Sequence, residues 1–203
     1  MSSQHAKRLV VGISGASGAQ IAIELLTQMQ EHSGWETHLV ISEAARRTIT
    51  METSFNVAKV EALATRCYPL EDIGANIASG TFKTEGMVVV PCSSKTLAGI
   101  ASGFSLNLLL RAADVHIKER RKVVLVAREC PLSHIHLNNM LTLVNMGVTI
   151  LPPMMTFYNH PASIQEMVTH MVGKILDIFR LEAKGYKRWG EPAPRESEML
   201  HVS

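Results

Sequence analysis

The segment Arg8–Gln20, which reads RLVVGISGASGAQ, decides the fold of this chain. A short apolar run leads into a loop that carries Gly12, Gly15 and Gly18, and a helical pattern begins directly after it. A strand, a glycine-rich loop and a helix in this order form a unit whose loop amides and hydroxyls can surround an anion at the helix N-terminus. The segment therefore predicts an α/β fold with a polar ligand at this loop.

The loop departs from the dinucleotide fingerprint G-x-G-x-x-G. Counting back from Gly18 and Gly15 places Ile13 where the first glycine belongs. The second predicted strand ends in Ser42 and Glu43, and a serine suits a phosphate or a flavin edge better than a ribose diol. The loop thus favours a mononucleotide or a flavin over NAD. For the loop taken alone, a purely structural role of its glycines in the turn stays open.

Composition indicates a globular protein of ordinary size. The chain has 203 residues, of which 46% are hydrophobic and 19% charged, and its formal net charge of +2 is too small to indicate a nucleic-acid partner. We expect one domain over residues 1–190. The stretch after Trp189 is rich in proline and charge, so residues 191–203 are predicted to form a C-terminal tail.

The three cysteines indicate the redox state of the cellular compartment. Cys67, Cys92 and Cys130 are widely spaced and form no C-x-x-C pair, so a disulfide scaffold or a zinc ribbon is not expected. No apolar stretch near the N-terminus is long enough for a signal peptide or a membrane span. These features predict a cytoplasmic protein without a membrane partner.

Apolar runs alternate with helical patterns along the chain. The runs predict strands at Leu9–Ile13, His38–Ile41, Met87–Val90, Val123–Ala127 and Val148–Leu151. The helical patterns cover Ala19–Glu31, Glu43–Thr50, Lys95–Ala101, Leu106–Glu119, Leu137–Asn145 and Ile164–Leu181. Continuous Val, Ile and Leu are typical of strands covered by helices on both faces. The pattern predicts a three-layer α/β fold, a doubly wound parallel sheet of Rossmann-like or flavodoxin-like type.

Each predicted strand ends in a polar cluster, and parallel strands bring such clusters to one edge of the sheet. The clusters are Gly15–Gly18, Ser42–Glu43, Pro91–Thr96 (PCSSKT), Arg128–Ser133 (RECPLS) and Pro152–Pro161 (PPMMTFYNHP). Ser93 or Ser94 can cap the following helix, which is compatible with ligand contact. Five clusters at one edge are far more specific than any one of them.

Charged residues beside apolar segments supply further candidates. Arg111, Asp114 and Lys118 share one helical face, where ion pairing is the simpler reading for Asp114, while the two cations could face an anionic substrate. Arg128 and Glu129 follow a hydrophobic strand directly, which makes them a candidate phosphate clamp and a candidate acid/base group.

Two histidines invite a metal interpretation that the spacing does not support. His134 and His136 have neither a third ligand at metal-like spacing nor an i,i+4 partner. Capping, packing or subunit contact is the favoured role, and we expect no metal.

Several motifs together resemble one family. They are the Gly15–Gly18 loop, Ser42, Glu52-Thr53, the Pro91–Thr96 loop, Arg111–Glu119 (RAADVHIKE), Arg128-Glu129, Ser133–Met140 (SHIHLNNM), Phe157-Tyr158 and Arg188–Gly190 (RWG). The chain from about Leu9 to Gly190 resembles the UbiX-type flavin prenyltransferases. Lys95 and Gly80–Gly86 (GTFKTEG) are most similar to the branch of this family that is associated with non-oxidative hydroxyarylic acid decarboxylases.

The resemblance implies a flavodoxin-like fold in a homododecamer that binds FMN between subunits. It implies transfer of a dimethylallyl group from dimethylallyl phosphate to N5 and C6 of reduced FMN. The product, prenylated FMN, is the cofactor of a UbiD-type decarboxylase, the implied partner. The aromatic acid which that decarboxylase uses does not follow from the sequence.

The resemblance also assigns roles to residues. The FMN-binding set is Gly15, Ala16, Ser17, Ser42, Ser93, Ser94, Lys95, Thr96, Arg111 and Arg128. The prenyl phosphate is assigned to Tyr158 and Lys174, with Arg128, Lys118 and Ser17 reaching the same group. The catalytic set is Ser17, Glu52, Lys118 and Glu129, in which the two carboxyl groups handle protons. Some family members have arginine where this chain has Lys174, so bidentate phosphate binding is lost here.

Two alternatives accompany the prenyltransferase hypothesis. A non-catalytic FMN-binding subunit that delivers the flavin to a hydroxyarylic acid decarboxylase stays open. A flavoprotein that decarboxylates a cysteine-derived carboxylate is disfavoured, because Tyr158, Lys174 and Lys118 suit a phosphate leaving group. The histidine expected after the first glycine loop in that sister group is also missing.

Overall fold

A computed structural model describes residues 6–190 of the chain. Six strands in this part form one parallel sheet: β1 (Lys7–Ile13), β2 (Trp35–Ile41), β3 (Arg66–Tyr68), β4 (Gly86–Cys92), β5 (Lys122–Ala127) and β6 (Thr149–Ile150). The helices are α1 (Ala19–Met29), α2 (Glu43–Glu52), α3 (Val57–Glu61), α4 (Ser94–Ala101), α5 (Leu108–Lys118), α6 (His134–Asn145) and α7 (Ile164–Ile178). The predicted parallel α/β fold is confirmed.

The strand order, β3-β2-β1-β4-β5-β6, reverses direction between β1 and β4. This is the Rossmann order 3-2-1-4-5-6, and without the three-residue β3 it becomes the flavodoxin order 2-1-3-4-5. Ligands of such sheets bind in the crevice outside the carboxyl ends of the strands at the point of reversal. The crevice of this sheet therefore lies beside the loops that follow β1 and β4.

Helices cover both faces of the sheet. On one face Val10, Val89 and Leu125 pack in a cluster with residues of α4, α5 and α6, among them Leu97 and Leu109. Side chains alternate between faces along a strand, so Leu9, Val11 and Ile13 point to the other face, on which α1 packs. Burial on both faces explains why the strands read as continuous apolar runs.

Most helices begin with a side-chain cap, and α1 does not. Ser42, Asn56, Ser93, Asn107, Ser133 and Ser163 each accept a bond from a backbone amide in the first turn of the helix that follows. The residue before α1 is Gly18, which has a φ of 110° and no side chain to offer. The first amides of α1 must therefore find another acceptor.

The sequence missed three short elements and overextended α1, α5, α7 and β6. The strand β3 pairs over three residues only and is mostly exposed, and α3 spans five residues with one buried, so neither carries a periodic apolar pattern. The turn Asn76–Ala78 is likewise too short to detect. The helix α7 ends at Ile178 rather than Leu181, and β6 spans two residues rather than four.

The described residues fall into two compact units, divided between Pro153 and Met154. The single domain over residues 1–190 stays a prediction, and the tail at 191–203 lies outside the described residues. Among residues 6–190 no helix has the length and apolar character needed to cross a bilayer.

Candidate active site

Backbone hydrogen bonds hold four strand ends together at the carboxyl edge of the sheet. The Ser42 amide donates to the Ile13 carbonyl at 3.0 Å, which joins the ends of β2 and β1. The Arg128 amide donates to the Cys92 carbonyl at 3.0 Å, which joins β5 to β4. The sequence-predicted clusters at these strand ends are thus neighbours in space.

Ser14 joins the two inner strands, a role that sequence reasoning missed. Its hydroxyl donates to the Pro91 carbonyl at 2.9 Å and accepts from the Ser93 amide at 2.7 Å. The side chain is buried, with 1% exposure, so its role is to hold β1 and β4 together through these two hydrogen bonds. Its position as the first hydroxyl after β1, at the point where the strand order reverses, is the signal that could have indicated it.

Glu52 supplies the anion at the N-terminus of α1. One oxygen of its carboxylate accepts from the amides of Gly18 at 2.8 Å and Ala19 at 3.3 Å. Partial burial alone would raise the pKa of Glu52, but hydrogen bonds from the Ser17 hydroxyl and from these two amides, together with the charge of Arg128, hold this pKa below its usual value. The carboxylate is therefore ionised at neutral pH.

This contact refines the interpretation of the glycine loop. The sequence predicted an anion at this helix N-terminus, and the chain itself provides one from the last residue of α2. Ser17 hydrogen-bonds this carboxylate and the charge of Arg128 acts on it, so the first loop and the end of β5 both lie near the end of α2. Gly15 lets α2 approach, because a Cβ at this position would lie 2.3 Å from the Cβ of Ala44.

The remaining residues of the predicted flavin set lie along the same edge. Ser42 and Ser93 cap α2 and α4, and the Ser93 hydroxyl also donates to Thr96 Oγ1 at 3.0 Å. Ala16 is buried, whereas Gly15 and Lys95 are exposed. The Ser93–Thr96 run thus serves both as a helix cap and as a polar rim of the crevice.

Arg128 and Glu129 line a narrow cleft together with Ser94 and His136. A hydrogen bond from the Ser94 side chain and another from the Cys130 amide, at 3.2 Å, hold the pKa of Glu129 below its usual value. Both carboxylates that sequence reasoning selected for proton handling, Glu52 and Glu129, are thus held in the ionised form.

The histidines of α6 have local partners. Nδ1 of His136 accepts from the Ser133 amide at 3.1 Å, while the Ser133 hydroxyl accepts from the His136 amide at 3.3 Å. This reciprocal capping box is the kind of role that the spacing favoured. In the described part of the chain, no group of three or more His, Cys, Asp or Glu could hold a metal ion.

The charged residues of α5 form ion pairs with acidic neighbours in the chain. Arg111 forms an ion pair with Asp114 at 2.7 Å, as the simpler reading of this helix expected. Lys118 pairs instead with Glu119 at 2.6 Å, at the end of α5 just before β5 begins. A strand of seven residues spans about 20 Å, so Lys118 stands at the amino edge of the sheet, far from Ser17 of the same chain.

The second unit brings its two predicted substrate residues to one histidine. The Tyr158 hydroxyl lies 3.4 Å from Nε2 of His170, and Lys174 follows His170 by one turn of α7. Lys174 is exposed, and its charge acts on the His170 ring. The ring of Trp189 packs edge-on against Tyr158 with the centroids 5.1 Å apart.

Comparison with known proteins settles the family. The family model described as Flavoprotein matches residues 1–178. A probable UbiX-like flavin prenyltransferase of Streptomyces sp. (strain D7) is 55% identical over 182 residues, which cover 90% of this chain and 91% of the relative. The chain belongs to the UbiX-like flavin prenyltransferases.

Two crystal structures resemble this UbiX-like chain closely. A dodecameric FMN-dependent UbiX-like decarboxylase from Escherichia coli O157:H7 has a TM-score of 0.89 and 49% identity, over 91% of this chain and 100% of that one. AnUbiX (PadA1), in complex with FMN and dimethylallyl pyrophosphate, also has a TM-score of 0.89, with 45% identity over 92% of this chain and 99% of that one.

The donors at the carboxyl edge of this UbiX-like chain fit a phosphorylated flavin. Hydroxyl groups follow β1, β2 and β4, and the guanidinium of Arg128 follows β5. Exposed backbone at Gly15 allows a flat ring to approach closely. Hydroxyls, helix N-termini and a guanidinium are the groups that bind phosphates and polar ring edges.

Proposed function

We propose that the protein is a flavin prenyltransferase, which joins a dimethylallyl group from dimethylallyl phosphate to N5 and C6 of reduced FMN and releases inorganic phosphate. The observation that carries this proposal is that the Glu52 carboxylate binds the first loop and feels the charge of Arg128, which lines a cleft with Glu129. The relative solved with FMN and dimethylallyl pyrophosphate, at 45% identity, supports it.

The polar edge of the sheet holds the flavin in this proposal. Reduced FMN supplies the electron-rich N5 and C6 positions that accept the allylic group. The crevice is lined by hydroxyls and one cation, which come from Ser42, Ser93, Ser94, Lys95 and Thr96. The first loop, with exposed Gly15 and then Ala16, faces the flavin ring. Arg111 is assigned to the same ligand, which requires that its ion pair with Asp114 open or be shared.

Cations and hydroxyls drive departure of the phosphate. Breaking the carbon–oxygen bond of an allylic phosphate leaves negative charge on the phosphate, and positioned donors stabilise that charge. Ser17 and Arg128 are donors of this kind, and the family resemblance assigns Tyr158 and Lys174 to the same phosphate. Lys174 contributes charge without the two-pronged geometry of arginine.

Glu52 and Glu129 begin the reaction as bases. Their lowered pKa values leave both carboxylates ionised at neutral pH. One carboxylate accepts the proton displaced when carbon bonds to N5 and returns a proton to the allylic double bond, so that the second bond can form at C6 while the C6 proton passes to a carboxylate. Glu52 also holds the first loop in place through the amides of Gly18 and Ala19, which couples proton handling to the shape of the site.

We propose a homododecamer in which Lys118 serves the site of another subunit. Lys118 stands at the amino edge of its own sheet, and therefore reaches a carboxyl-edge crevice only across an interface. The helix α6 presents exposed Leu137, Leu141 and Val144 on one side, an apolar face typical of a subunit contact. The E. coli O157:H7 relative, at 49% identity, is dodecameric.

The product requires a recipient, and we propose a UbiD-type decarboxylase that uses prenylated FMN. We place the reaction in the cytoplasm, because Cys67, Cys92 and Cys130 are all free thiols, which suits a reducing compartment. Burial raises the pKa of the Cys92 thiol to about 12, so this residue is unreactive.

Anaerobic incubation with reduced FMN and an allylic donor tests the proposal. Dimethylallyl phosphate and dimethylallyl pyrophosphate are supplied in separate arms, and the bound flavin is examined by mass spectrometry. We expect a gain of one C5H8 unit with the monophosphate, together with one equivalent of inorganic phosphate. FMN binding without any mass gain in either arm would instead support the delivery subunit.

A further inference from the structure

His170 is a buried histidine that the proposed function leaves without a role. It lies in α7 with 2% exposure, so the fold has taken a polar ring almost entirely out of water. Its Nε2 faces the Tyr158 hydroxyl at 3.4 Å, and its Nδ1 faces Nδ2 of Asn159 at 3.4 Å. The rings of Tyr158 and Tyr186 pack against it, with centroids 5.7 Å and 5.1 Å away.

The imidazole is neutral at physiological pH. Burial lowers the pKa of His170, and the positive charge of Lys174 lowers this pKa further. The other titratable groups packed against the ring are the phenols of Tyr158 and Tyr186. A neutral imidazole has one nitrogen that donates a hydrogen bond and one that accepts.

The neighbours of the ring determine which nitrogen donates. The side-chain nitrogen of Asn159 can only donate, so Nδ1 of His170 accepts and the proton lies on Nε2. Nε2–H then donates to the phenolic oxygen of Tyr158. This leaves the hydroxyl proton of Tyr158 free to be donated elsewhere, and the Tyr158 side chain is 41% exposed.

We propose that His170 is a positioning residue which presents the Tyr158 hydroxyl as a hydrogen-bond donor to the allylic phosphate, with Asn159 fixing the tautomer of His170. The inference rests on the proposed function, because the phosphate is the one that departs in prenyl transfer. Both contacts of 3.4 Å are long, and such hydrogen bonds shorten when the ligand binds. Lys174 supplies the charge beside this donor.

Paired substitutions at His170 test the proposal. His170→Phe keeps the ring shape but removes both nitrogens. We expect it to raise the KM for dimethylallyl phosphate about tenfold, because the Tyr158 hydroxyl, no longer held by Nε2–H, loses its hydrogen bond to the charged phosphate. His170→Gln keeps an N–H donor and is expected to recover most of this loss. Affinity for FMN should change less than twofold in both variants.

A double-variant comparison separates positioning from general packing. If His170 acts through the tyrosine hydroxyl, adding His170→Phe to Tyr158→Phe causes no further rise in KM. Asn159→Leu, which removes the group that fixes the tautomer, should raise KM by a smaller factor and also have no effect on top of Tyr158→Phe. This variant keeps the test available if His170→Phe folds poorly.

A second histidine–tyrosine pair among residues 6–190 is the matched control. His38 is equally buried, with 2% exposure, and its Nδ1 lies 2.8 Å from the Tyr68 hydroxyl. His38→Phe should lower thermal stability and leave KM for dimethylallyl phosphate within twofold. A loss of stability at both histidines, with a KM change only at His170, separates a role in the site from a role in packing.

A binding measurement distinguishes failure of this inference from failure of the proposed function. Calorimetric titration of dimethylallyl phosphate into the FMN-loaded protein should show the same tenfold weakening in His170→Phe, whether or not turnover follows. Unchanged affinity and KM in His170→Phe, or an additive effect with Tyr158→Phe, would overturn the role of His170. Wild-type protein that binds the donor but does not prenylate FMN would overturn only the proposed function.

Discussion

The two edges of the sheet are built for different tasks. At the carboxyl edge, hydroxyls and charges surround a crevice, and the buried Ser14 braces the strand ends beneath it. At the amino edge, the guanidinium of Arg121 is bound by the carbonyl oxygens of Gly80 and Phe82 and contacts the Thr84 hydroxyl at 3.2 Å. The Thr84 hydroxyl in turn lies 2.8 Å from Nε2 of the buried His116.

The difference shows how one fold separates a site from its scaffold. Amino-edge donors are matched by acceptors of the same chain, and burial lowers the pKa of His116 to about 4, so this ring stays neutral and structural. Carboxyl-edge donors instead converge on two ionised carboxylates. Lys118 is the exception, because it is assigned to catalysis but lies at the amino edge of the sheet. The following predictions test this division.

Glu129→Gln should give the largest effect. The amide keeps the shape of the side chain but cannot accept a proton, so we expect turnover to fall by roughly 10²- to 10⁴-fold. FMN affinity should stay within twofold, as measured by fluorescence titration alongside single-turnover mass spectrometry of the flavin. The matched control is Glu36→Gln at the amino edge, where the carboxylate pairs with Arg8 at 2.9 Å. Full activity of the Glu129 variant would remove this residue from the proton-handling role.

Lys118→Ala should lower turnover by about 10²-fold, the usual cost of removing one group that stabilises developing charge. Arg120→Asn removes a neighbouring positive charge and should leave turnover within twofold. Mixing Lys118→Ala subunits with Glu129→Gln subunits should restore part of the lost turnover. If each site takes Glu129 from one chain and Lys118 from another, about a quarter of the sites in the mixed oligomers contain both intact residues. No recovery in verified mixed oligomers would place Lys118 and Glu129 in the same site of one chain.

Leu141→Glu should weaken assembly. Burying a leucine contributes about 1.5–3 kcal/mol, and a carboxylate in the same contact adds a cost of desolvation, so each α6 contact is weakened at least tenfold. Light scattering after size-exclusion chromatography should show smaller species. Thr27→Glu places the same charge on an exposed position of α1 and should leave the mass unchanged. A Leu141→Glu protein of unaltered mass would show that α6 is not in the interface.

The order of strands and helices was easier to predict from the sequence than the hydrogen-bond partners of the site residues. Continuous apolar strands and N-cap serines are local signals, so the parallel sheet and the bounds of α2 and α4 followed closely from the sequence. That Glu52 would fill the anion position at α1 did not follow, because it depends on the three-dimensional approach of α2 to the first loop. The position of Lys118 is a consequence of helix direction, which a motif alone does not show.

The loss of stability in Glu52→Gln should be the smallest of these changes in free energy, and it tests the carboxyl edge apart from turnover. The pKa of Glu52 is lower in the folded chain than the ordinary value of 4.5, so its ionised form stabilises the fold. This contribution is fully present above the unfolded pKa and is lost as the pH falls through the folded pKa. We expect the variant to lose about 1 kcal/mol at pH 7, typical of a helix N-cap, and to converge with wild type in acid.

Urea unfolding at fixed protein concentration, repeated between pH 3 and pH 7, measures this difference while holding the assembly term constant. Glu85→Gln, at an exposed position before β4, should leave the pH profile unchanged. Equal loss at both ends of the pH range would mean that the Glu52 carboxylate stabilises the loop without its charge. In that case the lowered pKa of Glu52 would not contribute to stability, and Glu129 would be the carboxylate that the carboxyl edge holds ionised.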